Sequence, residues 1–156
     1  NDMHLSRIFW EQMIRLEMHP KDKWDAIAQM VEILIEEEQF PSTERDMVLA
    51  AAINREKQGS TALGHNTAIP HAPIPDLPGI IGCLGICPQG IDFESKNGEK
   101  VQFIFLLLTP QQNYRSYIPI LAQIATVVRN EDTRQALLAS QTPSEVTAQL
   151  KKQEPI

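Results

Sequence analysis

Cysteine is nearly absent from this chain: Cys83 and Cys87 are the only two among 156 residues. Both fall in the apolar stretch Gly79 to Cys87, which reads as a β-strand. Positions four apart on a strand share a face but lie roughly 13 Å apart at about 3.3 Å per residue. That is too far for a disulfide or for a shared tetrahedral metal. The two thiols therefore read as small buried hydrophobes in a reducing compartment. Long apolar runs are also missing. The longest, such as Ile104 to Leu108, fall far short of a bilayer span, which excludes membrane insertion by a helix. There is no basic block, and the net charge is -6, which argues against nucleic acid or an anionic membrane as the main partner. The opening Asn1-Asp2-Met3-His4 has no basic region followed by an apolar run, so no secretory signal is read there. A cytoplasmic protein is the simplest reading, and Asn1 as first residue leaves room for a larger parent chain. Repeats, low-complexity segments and linkers are not visible.

What is present is an ordinary globular composition, 42% hydrophobic and 22% charged, suited to a single domain over residues 1–156. Residues 4–19 lack a clean period and fit a short helix near 5–11 and a short strand near 12–17. Residues 21–38 form the clearest amphipathic helix, with Trp24, Ile27, Val31, Leu34 and Ile35 at helical spacing and Asp22 at its start. Trp24 and Phe105 read as core. Glu36-Glu37-Glu38 reads as a solvated helix end. A second helix is expected over 43–56, capped by Ser42 or Thr43. A strand over 80–87 contains Gly82 and Gly85, which signal a bulge or close backbone approach. Pro88-Gln89-Gly90 reads as a turn, Ile91 to Phe93 as a short extended piece, and Asn97-Gly98 as a hairpin turn. Val101 to Leu108, apolar almost throughout, reads as a central strand buried on both faces. Helices follow over 114–128, 130–139 and 143–153. Pro119 in the first of these is tolerable only within its first turn, and Thr142-Pro143-Ser144-Glu145 opens the last as a capping box. This order predicts an α/β fold, a three-layer α/β/α sandwich with a mixed central sheet flanked by helices.

The chemistry concentrates in Arg55 to His71, R-E-K-Q-G-S-T-A-L-G-H-N-T-A-I-P-H. Imidazole is a good nitrogen nucleophile that is largely neutral near pH 7. To accept a phosphoryl group it must present one ring nitrogen and fix the other by a hydrogen bond, with donors around the three phosphoryl oxygens. A Gly/Ser/Thr loop can supply N–H groups and hydroxyls, Arg55 a guanidinium, and Pro70 restricts the approach to His71. His71 is thus read as a phosphoryl acceptor at a strand end. The run A-P-I-P-D-L-P-G after it holds three prolines in six residues and reads as a stiff loop. A metal site made by His65 and His71 is the competing reading. It lacks a third ligand of obvious spacing, with His4 and His19 remote in sequence.

This stretch resembles the signature R-E-K-x-G-S-T-x-x-G-x-x-x-A-I-P-H of the mannitol/fructose-type IIA domain of the bacterial phosphoenolpyruvate-dependent sugar phosphotransferase system, a family that includes the nitrogen-regulatory IIA proteins. Arg55, Glu56, Lys57, Gly59, Ser60, Thr61, Gly64, Ala68, Ile69, Pro70 and His71 all fit. The resemblance implies that His71 takes phosphate from the phosphocarrier protein HPr or its nitrogen-branch counterpart, with a IIB domain or a regulated protein as a further partner. It implies Arg55 beside the phosphoryl group, His65 lining the site, and neither cofactor nor metal. The family usually carries a second histidine shortly after the proline that ends the central strand, and Tyr117 stands at that position. A phenol donates a hydrogen bond but does not exchange a proton near neutrality as imidazole does. Ala62 and Asn66 stand where glycine is common. The departure at Tyr117 favours regulation over sugar flux, with a regulatory binding module that relays no phosphate as the alternative.

Overall fold

The computed structural model describes residues 3–154. In chain order it contains α1 (Leu5–Ile8), β1 (Ile14–Arg15), α2 (Lys23–Glu36), α3 (Arg45–Lys57), β2 (Ala62–Gly64), β3 (Thr67–Ala68), β4 (His71–Ile74), β5 (Ile81–Ile91), β6 (Val101–Pro110), α4 (Tyr117–Val128), α5 (Glu131–Ala139) and α6 (Pro143–Lys152). Short 3-10 turns at Glu11–Met13, Ser42–Glu44 and Gln111–Ser116 precede β1, α3 and α4.

β6 organises the sheet. Seven of its residues from Phe103 to Thr109 are buried, and the apolar ones alternate between two cores. Ile104, Leu106 and Leu108 join the core beneath α2 and α3. Phe103, Phe105 and Leu107 join the core beneath α1, α4, α5 and α6. A period of two on a strand covered on both sides demands this all-apolar sequence. β6 pairs antiparallel with β5, and β5 parallel with β1. On its other edge β6 pairs in parallel with β3 and then with β4. The result is the expected mixed sheet between two helical layers.

Side-chain caps open α2, α5 and α6, three of the six helices among the described residues. The Asp22 carboxylate accepts from the Asp25 N–H at 2.8 Å, and the Asn130 side chain accepts from Thr133 N–H. Thr142 caps α6 with Pro143 at its first position. Pro119 lies in the first turn of α4, where its missing N–H costs no helical bond.

Several expectations are corrected. The run after His71 begins as β4, an edge strand whose Pro73 faces outward, where a missing N–H is harmless, and only from Pro75 onward is it the expected loop. Pro88 to Gly90 forms no turn. β5 runs through it with an irregularity between Ile86 and Ile91, beyond the glycines thought to mark it. Neither Ser42 nor Thr43 caps α3, because a 3-10 turn occupies Ser42–Glu44. The helix expected from Tyr114 begins at Tyr117, after the 3-10 turn. Trp24 is 36% exposed, not core, and Glu37 is paired with Arg15 at 3.3 Å instead of fanning into solvent. Cys83 and Cys87 are buried in one core, as read. Burial pushes the Cys87 thiol up to about 12 and the Cys83 thiol higher still, so both are inert.

Candidate functional site

β3 and β4 run one after the other along the same side of β6. Thr67 pairs opposite Phe103 and His71 opposite Leu107. Between them Ile69 and Pro70 stay tied in: Leu107 N–H donates to the Pro70 carbonyl at 2.9 Å, and Ile69 N–H donates to Thr61 at 3.0 Å. His71 is therefore the first residue of β4, fixed by backbone bonds before its side chain makes any contact. The half-buried ring bonds through Nδ1 to the Ile69 carbonyl at 2.8 Å. A carbonyl only accepts, so Nδ1 carries the proton and Nε2 keeps its lone pair. Burial holds the imidazole pKa below its ordinary value, opposed by the Ile69 carbonyl and by Glu56 and assisted by the nearby Arg55 charge. The ring is thus a neutral nucleophile with a defined tautomer near pH 7.

Tyr117, the first residue of α4, stacks on this ring with centroids 4.7 Å apart and planes 21° from parallel. Arg55 stands in the last turn of α3, the helix packed on β4, where Nη1 donates to the Gly59 carbonyl at 2.8 Å. The fold thus brings Arg55, His71 and Tyr117 together from three distant parts of the chain.

His65 is not brought to them. His65 and Asn66 form the two-residue turn between β2 and β3, both with positive φ (53° and 59°). The turn lies beyond Thr67, itself four β6 residues from His71, or roughly 13 Å at about 3.3 Å per residue. Expected to line the site, His65 instead holds an exposed turn position. The same separation removes the metal pairing, and no cluster of three or more His, Cys, Asp or Glu able to hold a metal occurs among the described residues.

The Gly/Ser/Thr loop also has a different job. Ser60 Oγ donates to the Phe93 carbonyl and accepts from Ala62 N–H at 3.1 Å. Thr61 gives its N–H (3.0 Å) and its hydroxyl (2.6 Å) to the Glu56 carboxylate. These donors are spent inside the fold, so they are not free for phosphoryl oxygens. Glu56 in turn pairs with the buried Lys23 at 3.3 Å, and Lys23 reaches Glu94 at 2.7 Å. Sequence reasoning missed Lys23 because a lysine beginning an amphipathic helix normally reads as solvated. The glutamate in R-E-K was the only available hint of a buried partner.

The family described as "Phosphoenolpyruvate-dependent sugar phosphotransferase system, EIIA 2" matches residues 7–153. The chain belongs to this EIIA family. It is 40% identical over 93 residues to a nitrogen regulatory protein of Bradyrhizobium diazoefficiens, covering 60% of this chain and 61% of that one. It is 26% identical over 140 residues to a fructose-specific EIIABC component of Bacillus subtilis, covering 90% of this chain and 22% of that protein. The chain therefore spans less than two thirds of the length of either of these two relatives. The crystal structure of the nitrogen regulatory protein IIA-Ntr of Neisseria meningitidis superposes with a TM-score of 0.84 at 25% identity, over 94% of this chain and 98% of that one. Among the described residues no helix is long and apolar enough to cross a membrane.

Proposed function

We propose that this EIIA chain is a cytoplasmic phosphocarrier that accepts a phosphoryl group on Nε2 of His71 from the phosphohistidine of an HPr-type carrier. The observation that carries this reading is the bond from His71 Nδ1–H to the Ile69 carbonyl, which leaves Nε2 unprotonated and directed by the backbone. Its lone pair attacks phosphorus in line, the donor's N–P bond breaks, and the electron pair returns to the donor imidazole. The product ring carries a proton on Nδ1 and phosphorus on Nε2. The Ile69 carbonyl supports its positive charge, and Arg55 balances the phosphoryl oxygens.

Regulation, with the phosphate state read by a partner protein, is favoured over sugar relay. Tyr117 replaces the second imidazole expected from the family, and the match at 40% identity is to a nitrogen regulatory protein. Incubation with phosphoenolpyruvate, enzyme I and carrier, read by intact mass, adds one phosphoryl group to the wild type and none to His71→Ala. An unphosphorylated wild type, or equal phosphate on His71→Ala, overturns the carrier reading. Rapid passage of the phosphate to a IIB domain overturns the regulatory preference.

A further inference from the structure

The His71 imidazole is held twice. Its Nδ1–H bond to Ile69 sets which edge turns outward, and the Tyr117 ring, lying on its face at 4.7 Å, sets its plane. Neither contact uses Nε2. The two restraints come from separate elements, the backbone just before β4 and the first residue of α4, while Arg55 and Glu56 approach on α3 from the other layer.

We infer that Tyr117 is a positioning residue whose aromatic face stabilises the cationic ring that His71 carries while phosphorylated, and so prolongs the phosphorylated state. This rests on the carrier reading above. A neutral imidazole gains little from an aromatic face beyond dispersion. Once the N–P bond forms, the ring bears a proton on one nitrogen and phosphorus on the other, and its positive charge meets the negative face of the Tyr117 ring. Breaking that bond returns the electron pair to Nε2 and makes the ring neutral again. Stacking therefore favours the bonded form and opposes its loss, to water or to a further acceptor. The phenol hydroxyl has no part in this, which separates the effect from a hydrogen bond to the phosphoryl group. A ring that merely fills space is equally replaceable by an aliphatic side chain.

The test compares wild type, Tyr117→Phe and Tyr117→Leu. Each is equilibrated with phosphorylated carrier protein, and the phosphorylated fraction is read by intact mass. Tyr117→Leu lowers the exchange equilibrium constant about three- to tenfold, whereas Tyr117→Phe stays within about twofold of wild type. A Tyr117→Leu value equal to wild type, or an equal loss in both variants, overturns the inference. If the wild type takes no phosphate, the carrier reading fails and the stack is judged by NMR titration of His71. Protonation creates the same cationic ring, so Tyr117→Leu lowers the midpoint by about half a pH unit or more while Tyr117→Phe leaves it in place. An unmoved midpoint in Tyr117→Leu overturns the inference on that arm.

Discussion

At the scale of single residues, His71 links stability to pH. Its folded pKa lies below the ordinary histidine value of about 6.5, with burial as the leading cause. Between the folded pKa and about 6.5 the unfolded chain binds more protons than the folded one, so stability rises with pH across that interval. Urea midpoints should therefore fall as pH drops from 7.5 through 6 to 5, and His71→Gln should flatten part of that fall. A wild-type slope identical to that of His71→Gln, measured in the same buffers, sinks the claim. His71 stood out as the candidate acceptor because a Pro-His at the end of a Gly/Ser/Thr loop matches both a chemical need and a family signature. The roles of Ser60 and Thr61 were not legible, because a hydroxyl that binds a phosphoryl oxygen and one that ties a loop to Phe93 or Glu56 look alike in sequence. His65 was misread for a related reason. A turn position with positive φ tolerates polar residues, and so does an active-site wall.

At the scale of elements, α3 and the β2–β3 hairpin are joined through one buried carboxylate. Glu56 accepts both Thr61 donors, and Lys23 on α2 neutralises it while bridging to Glu94. The Lys23 side chain is 5% exposed and that of Glu56 is fully buried. Removing one member leaves the other charge in a site that water does not reach. Lys23→Met should thus cost about 3 kcal/mol in urea unfolding, and Lys23→Met/Glu56→Gln should recover part of the loss. A single-variant cost below about 1 kcal/mol would mean that the pair is not desolvated as the geometry indicates. The long helices and β6 were readable because each carries a full period of apolar residues. β2, β3 and β4 were not, because strands of two to four residues on a sheet edge hold no period. β3 and β4 are placed by β6, a partner more than thirty residues away, and β2 by its hairpin with β3. Prolines that exclude a central strand are compatible with this edge.

At the scale of the whole molecule, the alternation along β6 is what made a three-layer sandwich derivable, since a strand apolar on both faces needs a helical layer on each. Of the two readings of the strand glycines, a bulge or a close approach, the close approach holds; what the sequence did not show is which neighbour each one meets. Gly82 and Gly85 mark the two approaches on β5, one toward each side. A methyl group at Gly82 meets the Leu106 carbonyl oxygen at 2.5 Å, Phe9 Cε1 at 3.0 Å and Ile8 Cγ2 at 3.2 Å. The first of these is backbone of the central strand and cannot yield without disturbing the β5–β6 ladder. A methyl group at Gly85 meets mainly the end of the Met18 side chain, which can rotate away into other rotamers. Both substitutions also restrict the unfolded chain, which offsets roughly 0.4–1 kcal/mol of any cost. Gly82→Ala should therefore destabilise by about 2 kcal/mol, whereas Gly85→Ala should stay within about 1 kcal/mol of wild type. Thermal unfolding of the two variants side by side tests this directly. Equal losses would show that the layer beneath α2 is packed as rigidly against the sheet as the central strand is against its neighbour.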